Sequence, residues 1–91
     1  MIEIKHEADE QWLVSVLGGV MTHHHVRVTQ SDLARLGEGR SAEDLLRESF
    51  AFLLEREPNT SILASFDLPL IGRYFPEYED EIRSRLRQTT E

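Results

Sequence analysis

The residues with the most obvious chemical reach in this chain are three consecutive histidines, His23-His24-His25. Imidazole is a common metal ligand and the one side chain that ordinarily titrates near neutral pH. Along an extended strand side chains alternate, so His23 and His25 share one face and His24 takes the other. Two imidazoles in this arrangement need at least a third ligand, such as His6 or a carboxylate, before they hold a divalent cation. No spacing in the sequence supplies it. His23 and His25 are therefore metal candidates against a plainer reading, in which both are solvated on an open sheet face and His24 turns toward a core. The chain has no cysteine, which removes disulfides, thiolate zinc sites and a cysteine nucleophile together.

Other chemistry is harder to assemble. None of the serines sits in a nucleophile-elbow sequence. Acid–base catalysis by carboxyl pairs needs two groups whose environments drive their pKa values apart, and nothing in the pattern selects such a pair. Gly37-Glu38-Gly39-Arg40-Ser41 precedes a helix start, where free backbone N–H groups can bind an anion. It lacks the phosphate-loop lysine and the dinucleotide glycine pattern, and a helix stop, turn and N-cap account for it. The sequence thus points to no catalytic residue and no cofactor.

The elements that must position these residues are legible from periodicity. Ile2 and Ile4 alternate with polar residues and predict a short first strand, and Ala8-Asp9-Glu10-Gln11 reads as a turn. Two further alternating segments flank Gly18-Gly19, which signals a hairpin. A two-residue loop places His23 and His25 beside Val14 and Trp12. An odd-length loop instead sets Val26 opposite Trp12, His24 opposite Val14 and Thr22 opposite Val16, which separates apolar from polar better. The expectation is an odd loop with a glycine bulge.

Thr29 and Ser41 read as N-caps of two helices, the first stopped by Gly37 and the second by Pro58. From Ala42 to about Glu57, residues Ala42, Leu45, Leu46, Ser49, Phe50, Leu53 and Leu54 follow the helical period. Phe52 widens this apolar arc to roughly half the circumference at ~100° per residue. A helical turn over Ser61–Phe66, another from Leu68 to Phe75 and a last helix opened by Pro76 complete the reading. Ile62, Leu63, Phe66, Ile71 and Phe75 are expected in the core.

The fold class expected is α+β: an N-terminal antiparallel β-hairpin or three-stranded meander, then a short helix, one long amphipathic helix and short C-terminal helices. It forms one domain over 1–91, with a sheet region at 1–29, a helical pair at 30–57 and C-terminal turns plus the last helix at 58–91.

Two resemblances bear on function. The run Val26-Arg-Val-Thr29, Leu33 to Leu36 and Ser41 to Arg56 resembles the ribbon-helix-helix layout of bacterial repressors and antitoxins. That resemblance implies strand pairing between two chains, with Arg27 and Thr29 as readers of the DNA major groove. The stretch Phe52-Leu-Leu-Glu-Arg-Glu-Pro58, Ser61-Ile-Leu63, Phe66-Asp-Leu68 and Arg73-Tyr-Phe-Pro76 is similar to a group of small bacterial proteins that end in this pattern. It implies one structural unit and brings no activity with it.

A formal net charge of −7 works against phosphate-driven nucleic-acid binding, so nucleic acid is not the expected partner. The longest near-apolar run, Trp12 to Met21, is far short of a membrane span, and the start carries no secretory pattern. No membrane association and a cytoplasmic location are expected. The wide arc on the central helix, in a chain with little else to cover it, points to a non-enzymatic protein–protein interaction module, acting as a homodimer or complex subunit. Phe52, Tyr74 and Tyr78 are its partner-binding candidates. Ribbon-helix-helix-like DNA regulation and histidine-based metal binding are the alternatives.

Overall fold

The computed structural model describes residues 1–88; the last three positions of the expected C-terminal part, 89–91, lie outside them. Strands β1 (Ile2–Ala8), β2 (Gln11–Leu17) and β3 (Met21–Arg27) form a meander. Helices α1 (Gln30–Leu36) and α2 (Ala42–Leu54) follow, then a single 3-10 turn at Asn59–Ser61, strand β4 (Ser65–Asp67) and helices α3 (Leu70–Tyr74) and α4 (Tyr78–Gln88). The architecture is α+β: a four-stranded sheet in the order β1-β2-β3-β4, antiparallel except for the parallel β3–β4 pair.

The hairpin register follows from sorting the two faces. Trp12 opposes Val26, Val14 opposes His24 and Val16 opposes Thr22, around the odd loop Gly18-Gly19-Val20. Val14, Val16 and Val26 are buried under the helices, and His23, His25 and Arg27 lie on the open face. The expected glycine bulge does not form, because neither Gly18 nor Gly19 enters the left-handed region. Position 18 needs glycine for a different reason: a Cβ there would come within 2.7 Å of Asn59 Oδ1.

Thr29 and Asp32 build a reciprocal capping box on α1, with both bonds at 3.0 Å. The Ser41 hydroxyl accepts from the Asp44 N–H to open α2. This helix ends at Leu54 rather than near Glu57. Pro58 disfavours helical backbone in the residue before it, and Arg56 and Glu57 turn back onto the Leu53 carbonyl instead.

The segment after Pro58 departs most from expectation. Ser61–Phe66 is not a helical turn: the chain extends at Ile62 and enters β4. Long-range partners replace helix bonds here, the His25 N–H donating to the Ala64 carbonyl and the Leu68 N–H to the Arg27 carbonyl. Extension turns Ile62 inward and Leu63 outward, so Leu63 is 48% exposed and not core. The helix expected from Leu68 to Phe75 is the shorter α3, and α4 begins at Tyr78, two residues after Pro76.

The core lies between the sheet and α4, with α2 as its middle layer. Leu45, Leu46, Phe50, Phe52 and Leu53 of α2 are buried with Tyr78, Ile82 and Leu86 of α4. Each such side chain contributes about 1.5–3 kcal/mol on burial. Ser49 and the Tyr78 hydroxyl, both buried, satisfy each other at 2.7 Å. Among the described residues no helix is long and apolar enough to cross a membrane.

Candidate partner-binding groove

The histidine run is divided between the sheet's two faces. His23 Nδ1 lies 2.9 Å from Ser15 Oγ, and His25 Nδ1 lies 3.2 Å from Glu7 Oε1, both in exposed surroundings. Among the described residues, no group of three or more His, Cys, Asp or Glu could hold a metal ion. His24 is the buried member. Its Nδ1 donates to the Leu63 carbonyl at 2.7 Å, since a carbonyl can only accept, and its Nε2 then accepts from the Thr22 hydroxyl at 2.8 Å. Asn59 Nδ2 in turn donates to Thr22 Oγ1 and to the Val16 and Val20 carbonyls. This polar chain ties the 3-10 turn and the segment leading into β4 against the β2–β3 hairpin.

Arg27 and Thr29 each have partners within the chain. Arg27 is held by Glu10 at 3.1 Å with Asp67 at 3.8 Å, and Thr29 is occupied as the α1 cap. The ribbon-helix-helix layout requires a strand free to pair with a second chain. Here β3 lies inside the sheet, with β2 on one side and β4 on the other. The turn Gly37–Ser41 is likewise committed to structure: Glu38 and Gly39 adopt positive φ, and Arg40 pairs with Asp44 at 3.1 Å.

The aromatic candidates separate by burial. Phe52 and Tyr78 are completely buried, their rings 5.3 Å apart, and Phe75 meets Phe52 edge-on at 5.9 Å. The Arg56 guanidinium lies 3.6 Å from the Phe52 ring centre and is held there by Glu77 at 3.2 Å. Arg85 stands further off, anchored by Glu55 and Glu81. The hydrogen bond from Arg85 holds the Glu55 carboxyl below its ordinary range, and burial pushes the Tyr78 phenol well above its own. Phe52 is therefore covered by this chain's own side chains. Tyr74, by contrast, is 66% exposed.

Tyr74 stands on the rim of a groove of about 390 Å³. Leu53 and Glu57 border it from the end of α2, Ser61, Ile62 and Leu63 from the turn, and Phe66 from β4. Leu70, Ile71 and Tyr74 of α3, with Phe75, form the opposite wall. Ile62, Ile71 and Leu53 make a buried floor, and Leu63 and Tyr74 are exposed above it. Glu57 is a half-buried residue whose carboxylate has no ion-pair or side-chain hydrogen-bond partner among the described residues. A volume in the few-hundred-Å³ range with mainly apolar walls and one charged group is the form of a ligand or peptide pocket.

Tyr74 was visible in the sequence as a candidate, but Glu57 and Leu63 were not. The available signal was the adjacent pair Ile62-Leu63, of which an extended chain can bury only one. Family models, curated proteins and solved structures were each compared with the chain, and none matches.

Proposed function

We propose that this chain is a non-enzymatic interaction module, a homodimer or complex subunit, that receives a segment of a protein partner in the groove beside Tyr74. The observation supporting this most is the unpaired Glu57 carboxylate set among exposed apolar walls. An apolar wall alone accepts any greasy segment. A carboxylate in that wall selects one bearing a cation, because complementary charge discriminates among partners and like charge is penalised. The occupant is therefore a short apolar segment carrying a lysine or arginine. Leu63 and Tyr74 supply contact area, and Tyr74 adds a ring face on which a guanidinium can stack.

Fluorescence anisotropy with labelled Leu/Phe-rich peptides, identical except for one central Lys, Gln or Glu, tests this. The lysine peptide is expected to bind most tightly. Glu57→Gln is expected to weaken it about tenfold and erase the preference, which is the size of one partly buried charged hydrogen bond. Equal binding of all three peptides, or binding indifferent to Glu57→Gln and Tyr74→Ala, overturns the reading.

A further inference from the structure

β1 is an edge strand of the sheet and lies apart from the groove. Met1 and Leu17 exchange backbone hydrogen bonds, the Leu17 N–H donating to the Met1 carbonyl at 2.9 Å. Odd-numbered residues of β1 thus direct their backbone polar groups at β2, and the even-numbered Ile2, Ile4 and His6 direct theirs outward. The Ile2 carbonyl accepts from Arg47 Nη1 at 3.1 Å from outside the sheet, which agrees with that parity. A cavity of about 450 Å³ lies across β1 and β2, bordered by residues 2–5 of β1, Leu13 and Ser15 of β2, and Arg47. Ile2 and Ile4 face the helix layer but are only half-buried, because no further strand covers them.

We propose that β1 pairs antiparallel with β1 of a second copy, Ile4 facing Ile4 across a two-fold axis, to join the two sheets into one. The register is selected by charge and regularity. The β1–β2 ladder is regular from Ile2 to His6 and is disturbed between His6 and Ala8. Centring the pair on Ile4 uses only the regular stretch: Ile2 meets His6, and Glu3 meets Lys5, twice by symmetry. Centring it on Lys5 sets lysine against lysine and Glu3 against Glu7, and like charges directly opposite each other destabilise. Centring it on His6 requires the disturbed residues to pair. Lys5 is the chain's single lysine, and neither it nor Glu3 has an ion-pair partner among the described residues. The Ile2 carbonyl has two lone pairs, so it can accept from His6 of the second copy while Arg47 stays in place. An isologous contact of this kind closes at two copies and leaves no further β1 edge.

The test is a charge swap read by sedimentation equilibrium on the full-length chain, with circular dichroism to confirm folding. Glu3 and Lys5 are exposed, so reversing them leaves the core intact. Glu3→Lys or Lys5→Glu alone is expected to weaken the dimer roughly tenfold to thirtyfold, as two attractive cross-strand pairs become repulsive. The double variant Glu3→Lys/Lys5→Glu is expected to regain wild-type association, and an equimolar mixture of the two single variants to form a heterodimer. A wild-type chain that stays monomeric at millimolar concentration overturns the proposal, as does a dimer unmoved by either single reversal. Glu57→Gln and Tyr74→Ala lie away from this edge, so failure of the groove leaves the dimer result standing, and the reverse.

Discussion

Phe52 and Tyr74 are both sequence candidates for partner contact, and they end in opposite surroundings. Phe52 is enclosed by Tyr78, Phe75 and a guanidinium that two carboxylates help hold in position. Tyr74 projects from a five-residue helix beside a groove and remains two-thirds exposed. The first flank shows that an apolar arc wider than its nearest neighbours can cover does not require a second chain. Arginines with long aliphatic stems and flat heads can close it, provided acidic neighbours fix them. The second flank has no such roof, and its apolar surface at Leu63 and Tyr74 stays exposed.

Substitutions can widen or collapse this difference. The largest effect is expected from Phe52→Ala, about 3–5 kcal/mol of stability in chemical denaturation, because the arginine roof and the Tyr78 ring lose the body they pack on. Asn59→Ala comes next, at about 2 kcal/mol by the same measurement, since it removes the side-chain bonds that tie the 3-10 turn to the Val16 and Val20 carbonyls and to Thr22, and loosens the wall of the groove. It should also weaken peptide binding, which Phe52→Ala at low denaturant should affect less.

Tyr78→Phe is expected to cost about 1 kcal/mol, for the lost bond to Ser49. It also separates the flanks by pH. Burial raises the Tyr78 pKa above its ordinary value near 10. Below that pH both folded and unfolded chains keep the proton and the contribution is complete. Above it the unfolded chain ionises first, so stability falls as pH rises. Tyr78→Phe should flatten that alkaline decline in melts followed from pH 8 to 11. Tyr74→Ala should move stability least, within about 0.5 kcal/mol, while acting on binding. A Tyr74→Ala cost as large as that of Phe52→Ala would abolish the distinction between the two flanks.

The same contrast explains what could be read from the sequence. The hairpin register was legible because only the odd loop puts Trp12, Val14 and Val16 on one face with Val26 and His24. Thr29-Gln-Ser-Asp32 and Ser41-Ala-Glu-Asp44 were legible because capping is local. Strand β4 was not, since three residues carry no usable period and their partners lie across the sheet. The arc around Phe52 was countable, but its lid comes from Arg56 just past the helix and from Arg85 on α4, which helical periodicity does not connect. The groove combines both difficulties: its walls meet only after β4 has formed.

That dependence bears on the order in which the molecule is assembled. The β1–β2 and β2–β3 ladders close over tight turns, whereas Val26 and Phe66 pair from positions 40 residues apart in the chain. Closing so long a loop costs more entropy than closing a tight turn, and only three ladder pairs offset it, so β4 depends on the packing of the intervening α2 against the sheet. The proposed peptide groove, whose walls meet at β4, therefore rests on the most non-local pairing in the sheet.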